Sequence, residues 1–511
     1  MRFNNLYNFK NPVKHFIDVN SIILPNDIDS LDIKNFSWVK PFNFRVRKQD
    51  DKYRILKIPN ILNFARTYKR FKDFSYFENI QSMDKEYKRL SANIDTGDFE
   101  EGEYDRQLEK DFERLCIYDN MIRMDIKEYY GRIYTHNLGL DYEDEKFIYN
   151  MNAGATNGLI MGNYLSLYLA EKNLTQVSND LKKSFEDKNI DCEFSYFSDD
   201  FYFFCNKNDI ENIVKVFDKV LEKYQLERND SKKEIWTYED YNNYNLVARY
   251  WKKLIAHCNL RFDKDRNNNK LYFINQIVYR MSKLEDDKLK KVFINNFFKT
   301  KYFRELDLKK YQIKNYDYHQ LCFILKFSPE SMLYAVDKFI TMDEFDRNKV
   351  EKFFKIRYRE ALQQPFNDEQ LYYYYAIKML DFEEILKKSK DLVIKSDNQV
   401  LISYYLKDKL FEENDIDLLK ENYDEKYWFQ NYHLILYSED LQVNLESSIE
   451  KYLIPEMAKK DIQKNNYKTF YYDNIMTKNS IIRDIVDVNA EIKLYLQLKI
   501  KESEANFEAQ K

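Results

Sequence analysis

The sequence predicts an α+β fold, in which a mixed first half of strands and helices precedes a long all-helical second half. Three observations predict this class. Apolar runs of strand length lie in the first half of the chain. All seven glycines lie between Gly97 and Gly162. The glycine-free remainder is rich in Leu, Lys, Glu and Tyr, a composition typical of helices joined by short polar turns.

The first half should contain three strand regions and two long helices. The strands are predicted in "YRILKIP", "LCIYDNMIRMDI" and "EFSYFSDDFYFFC", which are apolar and rich in aromatic or β-branched residues. The helices are predicted over 163–173 and 209–225, where apolar residues recur every three or four positions.

A domain boundary is expected near residue 265, in the polar stretch "DKDRNNNK", so that 1–265 and 266–511 form separate domains. The second domain contains a weak repeat, because Leu371, Val400 and Phe429 occupy matching places at an equal spacing of roughly thirty residues. A HEAT-like array of helical hairpins and an irregular helical bundle both fit this pattern.

The overall composition predicts a globular protein. Hydrophobic residues make up 44% and charged residues 33% of the 511 positions, unlike a disordered chain. No apolar run approaches the roughly twenty residues of a membrane span, and the first residues lack the apolar centre of a signal peptide. Five scattered cysteines without metal-ligand spacing fit reduced thiols, so we expect a cytoplasmic protein without membrane contact.

The charge distribution limits how the chain can bind nucleic acid. The net charge of −4 argues against a protein that coats nucleic acid over much of its surface. Between Arg45 and Lys72, however, ten Lys or Arg stand against two Asp. This segment is the strongest candidate for a local basic groove.

Two adjacent carboxylates, Asp199 and Asp200, interrupt the aromatic run "YFSDDFYFF". A hairpin turn explains them without any function, because Ser and Asp favour turns. The alternative is a metal site, since Mg²⁺ takes oxygen ligands and leaves positions open for phosphates. A site of this kind needs carboxylates from a second segment, and Asp125 ends an apolar strand-like run upstream.

Gly154, Gly158 and Gly162 lie between these segments and directly precede an apolar helix. Glycines at such a place allow backbone to approach a ligand closely, and a helix start favours anionic groups. A flexible loop is the alternative interpretation.

The order of these segments resembles the palm and fingers of a reverse transcriptase. The matching pieces are "RKQDDKYRILKIP" for the triphosphate-binding fingers, "MDIKEYY" for the first catalytic aspartate, "NGLIMGNYLS" for the glycine motif, "FSDD" for the aspartate turn and "NDSKK" for the lysine motif. The resemblance covers roughly residues 45 to 235.

The resemblance implies a role for individual residues. Two Mg²⁺ ions, with Mn²⁺ as a substitute, would be bound by the catalytic Asp125, Asp199 and Asp200, assisted by the Ile126 carbonyl. Tyr130 would lie against the sugar and exclude a 2′-hydroxyl. The other residues implied to contact the deoxynucleotide are Arg47, Lys48, Arg54, Ile126, Gly158 and Lys232.

The chain departs from the family pattern at two places. Phe197 replaces the usual tyrosine of the turn, and Ile160 and Met161 replace the Pro-Gln that precedes the last glycine. The second departure removes an amide that helps to hold the template, which favours synthesis without a template.

"GRIYTHNLGL" after the first aspartate, a compact palm and a long helical C-terminus are similar to the bacterial abortive-infection (Abi) reverse transcriptases, which act in phage defence. This resemblance implies untemplated DNA synthesis from dNTPs that starts on a protein hydroxyl, so that the single-stranded product stays attached. It also implies a homo-oligomer in the bacterial cytoplasm.

Two other functions remain open. An RNA-templated reverse transcriptase would need a thumb and a basic template cleft, whereas the chain after residue 75 is only weakly basic. A non-catalytic helical interaction protein with a degenerate polymerase domain would not need all three of Asp125, Asp199 and Asp200, which are retained.

Overall fold

The structure is a computed structural model that describes residues 2–8, 13–28, 30, 32–49, 51–77, 79–92, 103–245, 272–305, 315–341 and 346–509. It mixes strands and helices in the first half and is helical in the C-terminal region, which confirms the predicted α+β class at this level. The boundary expected near residue 265 lies outside the described residues, so the division into 1–265 and 266–511 stays a prediction.

The strands are β1 Phe42–Gln49, β2 Lys52–Ile58, β3 Asn120–Asp125, β4 Cys192–Phe197, β5 Asp200–Cys205 and β6 Glu234–Trp236. The helices are α1 Arg2–Tyr7, α2 Val13–Phe16, α3 Ile61–Phe71, α4 Glu103–Ile117, α5 Tyr129–Arg132, α6 Tyr142–Met151, α7 Tyr164–Asp187, α8 Ile210–Lys223, α9 Tyr272–Met281, α10 Asp287–Lys299, α11 Lys301–Glu305, α12 Asn315–Phe327, α13 Ser331–Phe339, α14 Arg347–Leu362, α15 Asn367–Met379, α16 Glu383–Lys387, α17 Lys390–Lys395, α18 Gln399–Lys407, α19 Glu413–Lys420, α20 Trp428–Tyr437, α21 Glu439–Val443, α22 Leu445–Tyr452, α23 Asp461–Met476 and α24 Ile485–Ala509.

The chain divides into two compact units that are not continuous in sequence. The first unit consists of residues 1–43, 56–243 and 422–481. The second consists of residues 44–55, 244–421 and 482–511. Most of β1 and β2 therefore belongs to the second unit, and helices α20 to α23 belong to the first.

The first unit is built on a four-stranded antiparallel sheet with the order β4-β5-β3-β6. One face buries the aromatic rings of Phe201 and Phe203, which contact Phe217 of α8. The opposite face packs Met121 and Phe204 against α4. Because side chains alternate along each strand, the sheet is covered by helices on both sides, and its apolar runs are explained by that burial.

One strand prediction was wrong at its start. Leu115 to Ile117 close helix α4, and β3 begins only at Asn120. Leu108, Phe112 and Leu115 repeat at a spacing of four and three residues and form one buried helix face. This helical period extends into the first residues of the apolar run that suggested a strand.

Helix α7 begins where a polar residue caps it. The side chain of Asn163 accepts a hydrogen bond from the backbone N–H of Ser166, and the helix continues to Asp187. The prediction of a helix over 163–173 is therefore confirmed, although the helix is longer. The second predicted helix, 209–225, corresponds to α8.

The three positions of the weak repeat are buried in helices α15, α18 and α20. Helices α15 and α18 contact each other within the second unit, whereas α20 belongs to the first unit. The HEAT-like arrangement stays a prediction.

In the first unit, Tyr467 of α23 donates a hydrogen bond to Asn63 Oδ1 of α3 at 2.7 Å. This bond connects a C-terminal helix to the part of the chain that contains the sheet.

Candidate active site at one end of the four-stranded sheet

The three predicted carboxylates converge at one end of the sheet. Asp125 ends β3 and stands directly opposite Asp200, which begins β5. Asp199 lies in the two-residue turn between β4 and β5, beside Ser198, whose φ of 53° places it in the left-handed region that tight hairpins use. The backbone N–H of Ile126 donates to the Asp199 carbonyl at 2.9 Å, so the turn is fixed onto the end of β3.

Asp125 is 3% exposed, and both of its carboxylate oxygens have partners. Lys232 Nζ lies 2.6 Å from Oδ2, and Asn229 Nδ2 donates to Oδ1 at 3.0 Å. The backbone N–H of Asn229 also donates to the Asp125 carbonyl at 2.7 Å. The segment after α8 therefore supplies a positive charge and an amide to the first aspartate.

Asp199 differs from its neighbours because no basic side chain of the described chain pairs with it. Burial raises the pKa of the Asp199 carboxyl, and the nearby charges of Asp125 and Asp200 raise it further, against hydrogen bonds in the turn that lower it. The ionised form of Asp199 is thus disfavoured, and an added cation would favour it.

Asp200 is held by Arg123, which lies two residues before Asp125 on the same strand. Arg123 Nε donates to Oδ1 at 3.1 Å and Nη2 to Oδ2 at 3.2 Å. The remaining Arg123 nitrogen, Nη1, donates to Glu234 Oε2 of β6 at 3.3 Å. The two-point geometry engages both oxygens of the Asp200 carboxylate.

Within the described chain, no group of three or more His, Cys, Asp or Glu side chains has an arrangement that could hold a metal ion. The metal prediction for Asp125, Ile126, Asp199 and Asp200 is therefore neither confirmed nor excluded, and it stays a prediction. Mg²⁺ commonly binds one or two carboxylates together with substrate phosphates. A pair formed by Asp125 and Asp199 fits that smaller ligand set.

Tyr130 and Gly158 lie on two segments that contact each other. The Tyr130 carbonyl accepts a hydrogen bond from Leu159 N at 2.8 Å, and its ring is half-buried beside Tyr129 at 5.8 Å between centroids. Gly158 has φ +84°, and a Cβ there would lie 3.1 Å from the Gly131 carbonyl oxygen. Gly158 is thus required by the close approach of two backbones, which explains this glycine without a nucleotide.

The three residues predicted to contact the triphosphate, Arg47, Lys48 and Arg54, belong to the second unit. Lys48 and Arg54 are exposed. Arg47 Nη1 lies 2.9 Å from Glu369 Oε1, and its guanidinium is 4.7 Å from the centre of the Phe366 ring. The Arg47 side chain is therefore engaged by helix α15 and its preceding turn.

Sequence reasoning missed two residues of the site. Arg123 was visible as a single charge in the apolar strand "NMIRMD", two positions from Asp125 and therefore on the same face. Asn229 was visible as the first letter of "NDSKK", but no spacing rule predicts which aspartate its amide meets. Both assignments needed the strand register.

A second ionic group lies on the face of the sheet covered by α4. Asp111 is 0% exposed and faces Arg89, whose Nη1 lies 3.0 Å from Oδ1. Gln107 Nε2 and the Tyr241 hydroxyl also donate to Asp111, at 3.1 and 2.7 Å. This acid has a cation and further donors, as a buried charge requires.

Two further expectations from the sequence are reduced cysteine thiols and the lack of a membrane-spanning helix. The described cysteines Cys116, Cys192, Cys205 and Cys322 are free thiols, while Cys258 lies outside the described residues. Among the helices of the described chain, none has both the length and the apolar character needed to cross a bilayer.

No protein-family model matches the sequence, and no curated protein matches it. Among solved structures, the chain is similar to a telomerase from Candida albicans, determined in complex with a TWJ fragment of telomeric RNA, at 11% identity and a TM-score of 0.30. The matched region covers 73% of this chain and 63% of the telomerase chain, so this chain spans less than two thirds of that protein. A TM-score this low does not establish a shared fold.

Proposed function

We propose that this protein is a DNA polymerase of reverse-transcriptase type that joins deoxynucleotides by metal-dependent nucleotidyl transfer. One observation carries the proposal. Asp125 and Asp200 are register partners at one end of an antiparallel sheet, and Asp199 occupies the adjoining turn, where no basic side chain of the described residues pairs with it. The charged form of Asp199 is disfavoured by desolvation and by the two nearby carboxylates, and a carboxylate perturbed in this way is typical of sites that receive a metal and phosphates.

Asp125 and Asp199 would hold Mg²⁺, or Mn²⁺ in its place, together with the Ile126 carbonyl. When bound, two such ions stabilise the negative charge that develops on the attacking and leaving oxygens. Lys232 Nζ, now 2.6 Å from Asp125 Oδ2, occupies a place where a cation is needed. Once a metal neutralises Asp125, the ammonium is free to hold a phosphate, for which a compact point charge is suited.

Tyr130 would lie against the sugar and exclude ribonucleotides. Its carbonyl accepts a hydrogen bond from Leu159 N, which holds the backbone that carries the half-buried ring. Gly158 would keep the two backbones close. Arg47, Lys48 and Arg54 are proposed as triphosphate contacts on the resemblance of their motif alone.

We further propose that synthesis needs no template and starts on a protein hydroxyl. The Abi resemblance and the replacement of the template-holding amide by Ile160 and Met161 support this. Burial raises the pKa of many tyrosines, including Tyr129 and Tyr196, which makes their phenols poor nucleophiles. An exposed tyrosine phenol near the three carboxylates better fits the priming role.

The test is incubation of the purified full chain with each labelled dNTP and Mg²⁺, without added nucleic acid. We expect incorporation into a product that migrates with the protein on a denaturing gel and collapses to DNA after protease. Asp125→Asn and Asp199→Asn should reduce incorporation at least about a hundredfold, the scale of losing one preorganised charge contact. Asp218→Asn, which changes an exposed aspartate that pairs with Arg228, is the matched control.

Normal incorporation by a folded Asp199→Asn variant would remove this site from consideration. Product that migrates as free DNA before protease would refute protein priming and leave the polymerase proposal standing. Incorporation that depends on added RNA would favour the templated alternative.

One observation favours a non-catalytic interaction protein. Lys232 and Arg123 already neutralise Asp125 and Asp200, as expected in a degenerate polymerase domain where side-chain cations take the place of metal ions. The two functions differ in the role of Asp199, because only a polymerase needs a carboxylate there. Absence of incorporation with every dNTP and both metals would support the interaction protein. The anti-phage role and the homo-oligomer rest on the Abi resemblance.

A further inference from the structure

Asp200 is held by an arginine fork, whereas Asp125 is met by the single ammonium of Lys232 and by the Asn229 amide. No basic side chain of the described residues pairs with Asp199. Both oxygens of Asp200 are engaged by the planar Arg123 guanidinium, at 3.1 and 3.2 Å. Such a fork is rigid, because the guanidinium is planar and always charged. A metal ion that bound Asp200 would first have to displace this guanidinium.

The fork is itself held by neighbouring strands. Arg123 stands opposite Tyr202 of β5, and its guanidinium lies 5.9 Å from the centre of the Tyr202 ring. The third nitrogen reaches Glu234 of β6 at 3.3 Å. The Arg123 side chain therefore connects β3, β5 and β6 near the carboxylates.

The arrangement has an electrostatic consequence for the sheet. Like charges placed directly opposite each other on neighbouring strands are destabilising, and Asp125 faces Asp200 in this way. Arg123 lies on the same strand as Asp125 and neutralises Asp200. The Arg123–Asp200 pair therefore offsets this repulsion at the register that carries Asp199 to the end of β3.

We propose that Asp200 is a positioning residue and not a metal ligand. It holds Arg123 beside the carboxylates and offsets the repulsion between the facing ends of β3 and β5, while Asp125 and Asp199 alone supply the side-chain oxygens for Mg²⁺. This inference rests on the proposed function, and it assigns to Arg123 a role that its motif does not predict.

The experiment measures Mn²⁺ binding and thermal stability on the full chain, with no nucleotide present. The variants are Asp199→Asn, Asp200→Asn, Arg123→Gln and the double variant Asp200→Asn/Arg123→Gln, which replaces the ion pair by two neutral amides. Free Mn²⁺ is titrated by electron paramagnetic resonance, and the Tm is measured by calorimetry. Asp218→Asn is the control, because Arg228 binds Asp218 with the same two-point geometry. Its Nε donates to Oδ1 at 2.9 Å and its Nη2 to Oδ2 at 3.2 Å.

We expect Asp199→Asn to weaken Mn²⁺ binding at least about tenfold, a loss of ~1.4 kcal/mol, and Asp200→Asn to change it less than about threefold. Each single change of the pair should lower the Tm by about 2–4 °C, and the double variant should lose less than the sum, because the two residues act on each other. The double variant should also retain Mn²⁺ binding.

Two results would overturn the inference in distinguishable ways. If the unaltered protein binds Mn²⁺ and Asp200→Asn weakens that binding as much as Asp199→Asn, Asp200 is a ligand and this inference alone fails. If the unaltered protein neither binds Mn²⁺ nor incorporates dNTPs, the proposed function fails and the positioning role fails with it.

Discussion

Two acidic side chains of the first unit differ in whether a basic side chain pairs with them. Asp111 is enclosed on one face of the sheet and is met by the Arg89 guanidinium, Gln107 and the Tyr241 hydroxyl. Asp199, at the end of the same sheet, has no basic partner within the described chain and lies near Asp125 and Asp200. One acid is compensated by the protein, and the other is not.

The difference separates structural acids from candidates for function. A buried charge that serves the fold is paired, because an unpaired one would be expelled or neutralised. A carboxylate kept without a partner lowers stability, and its retention favours a role that an external cation completes. The comparison predicts changes of opposite sign in the free energy of unfolding when each acid is replaced by its neutral amide.

The largest effect is expected at the compensated acid. Asp111→Asn leaves the Arg89 guanidinium buried, at 8% side-chain exposure, without its counter-charge. Breaking a buried ion pair in this way costs about 3–5 kcal/mol in the free energy of unfolding. Urea denaturation followed by circular dichroism measures it.

Tyr241→Phe is the control for this prediction, because it removes one neutral donor to Asp111 and should cost only about 0.5–1.5 kcal/mol. Equal losses in the two variants would mean that Asp111 is not stabilised by its ion pair, and the comparison would lose its first half.

Much of the fold followed from local patterns. The alternating aromatic residues of "EFSYFSDDFYFFC" predicted a hairpin with Ser and Asp at its turn, and β4 and β5 meet there as expected. The apolar residues after Gly162 predicted α7, which begins directly after the cap residue Asn163. These features depend on residues that are close in sequence, which is why the sequence alone reveals them.

The site was only partly predictable, because its partners come from distant segments. Asp125 and Asp200 are 75 positions apart, and only the register places them opposite each other. The Arg123 fork follows from that register. Arg47 was assigned to a triphosphate because of its motif, yet it lies 2.9 Å from Glu369, more than 300 positions away. Charge alone does not tell whether a side chain is kept for a substrate or for another residue.

The second-largest effect is expected at Tyr130, and it tests whether the site around Asp125, Asp199 and Asp200 binds a nucleotide. Tyr130→Ala should lower discrimination against ribonucleotides by about 10–200-fold, the range of selectivity that one pocket group provides. Competing dATP and ATP incorporation measures the ratio. Tyr130→Phe keeps the ring and should keep the selectivity, and Tyr134→Ala removes another half-buried ring of the same segment. Unchanged selectivity in Tyr130→Ala would place sugar recognition elsewhere.

A carboxylate of the second unit sharpens the comparison. Asp368 is 5% exposed, and burial together with the charge of Glu369 raises its pKa from an ordinary 3.8 to about 7, although the Arg47 backbone N–H donates to it. The folded chain therefore holds a proton that the unfolded chain releases near pH 4. Between these two values the free energy of unfolding should fall as pH rises, by up to about 1.4 kcal/mol per pH unit.

Thermal melts between pH 4 and 8 measure this slope. Asp368→Asn should flatten it and raise the Tm at and above pH 7, where the carboxyl of the unaltered protein is forced to ionise. A slope that persists in Asp368→Asn would assign the proton to another group. The result decides whether a buried acid without a paired cation also destabilises the fold of the second unit.

The smallest effect has the opposite sign to that of Asp111. Asp199→Asn removes a carboxylate that burial, Asp125 and Asp200 all disfavour in its charged form. Because the pKa of Asp199 is raised, its penalty is present at neutral pH and vanishes once the pH falls below the ordinary value of 3.8, where folded and unfolded forms are both protonated. Asp199→Asn should therefore stabilise the protein at pH 7 by about 0.2–1 kcal/mol, the range for one cross-strand charge contact.

Mg²⁺ should reverse the order of stability of the unaltered protein and Asp199→Asn. An ion that binds only the folded state adds about 2.7 kcal/mol at a hundredfold excess over its Kd, so the unaltered protein should gain Tm with MgCl₂ while Asp199→Asn gains less. Asp125→Asn is the matched comparison: it also loses the metal, but it removes the negative charge that faces Lys232 and leaves one acceptor oxygen where Lys232 and Asn229 had two, so it should gain no stability before metal is added. If Asp199→Asn were destabilised at pH 7, or if MgCl₂ raised all three melting temperatures equally, Asp199 would be a structural acid like Asp111, and its lack of a cation would not indicate a metal site.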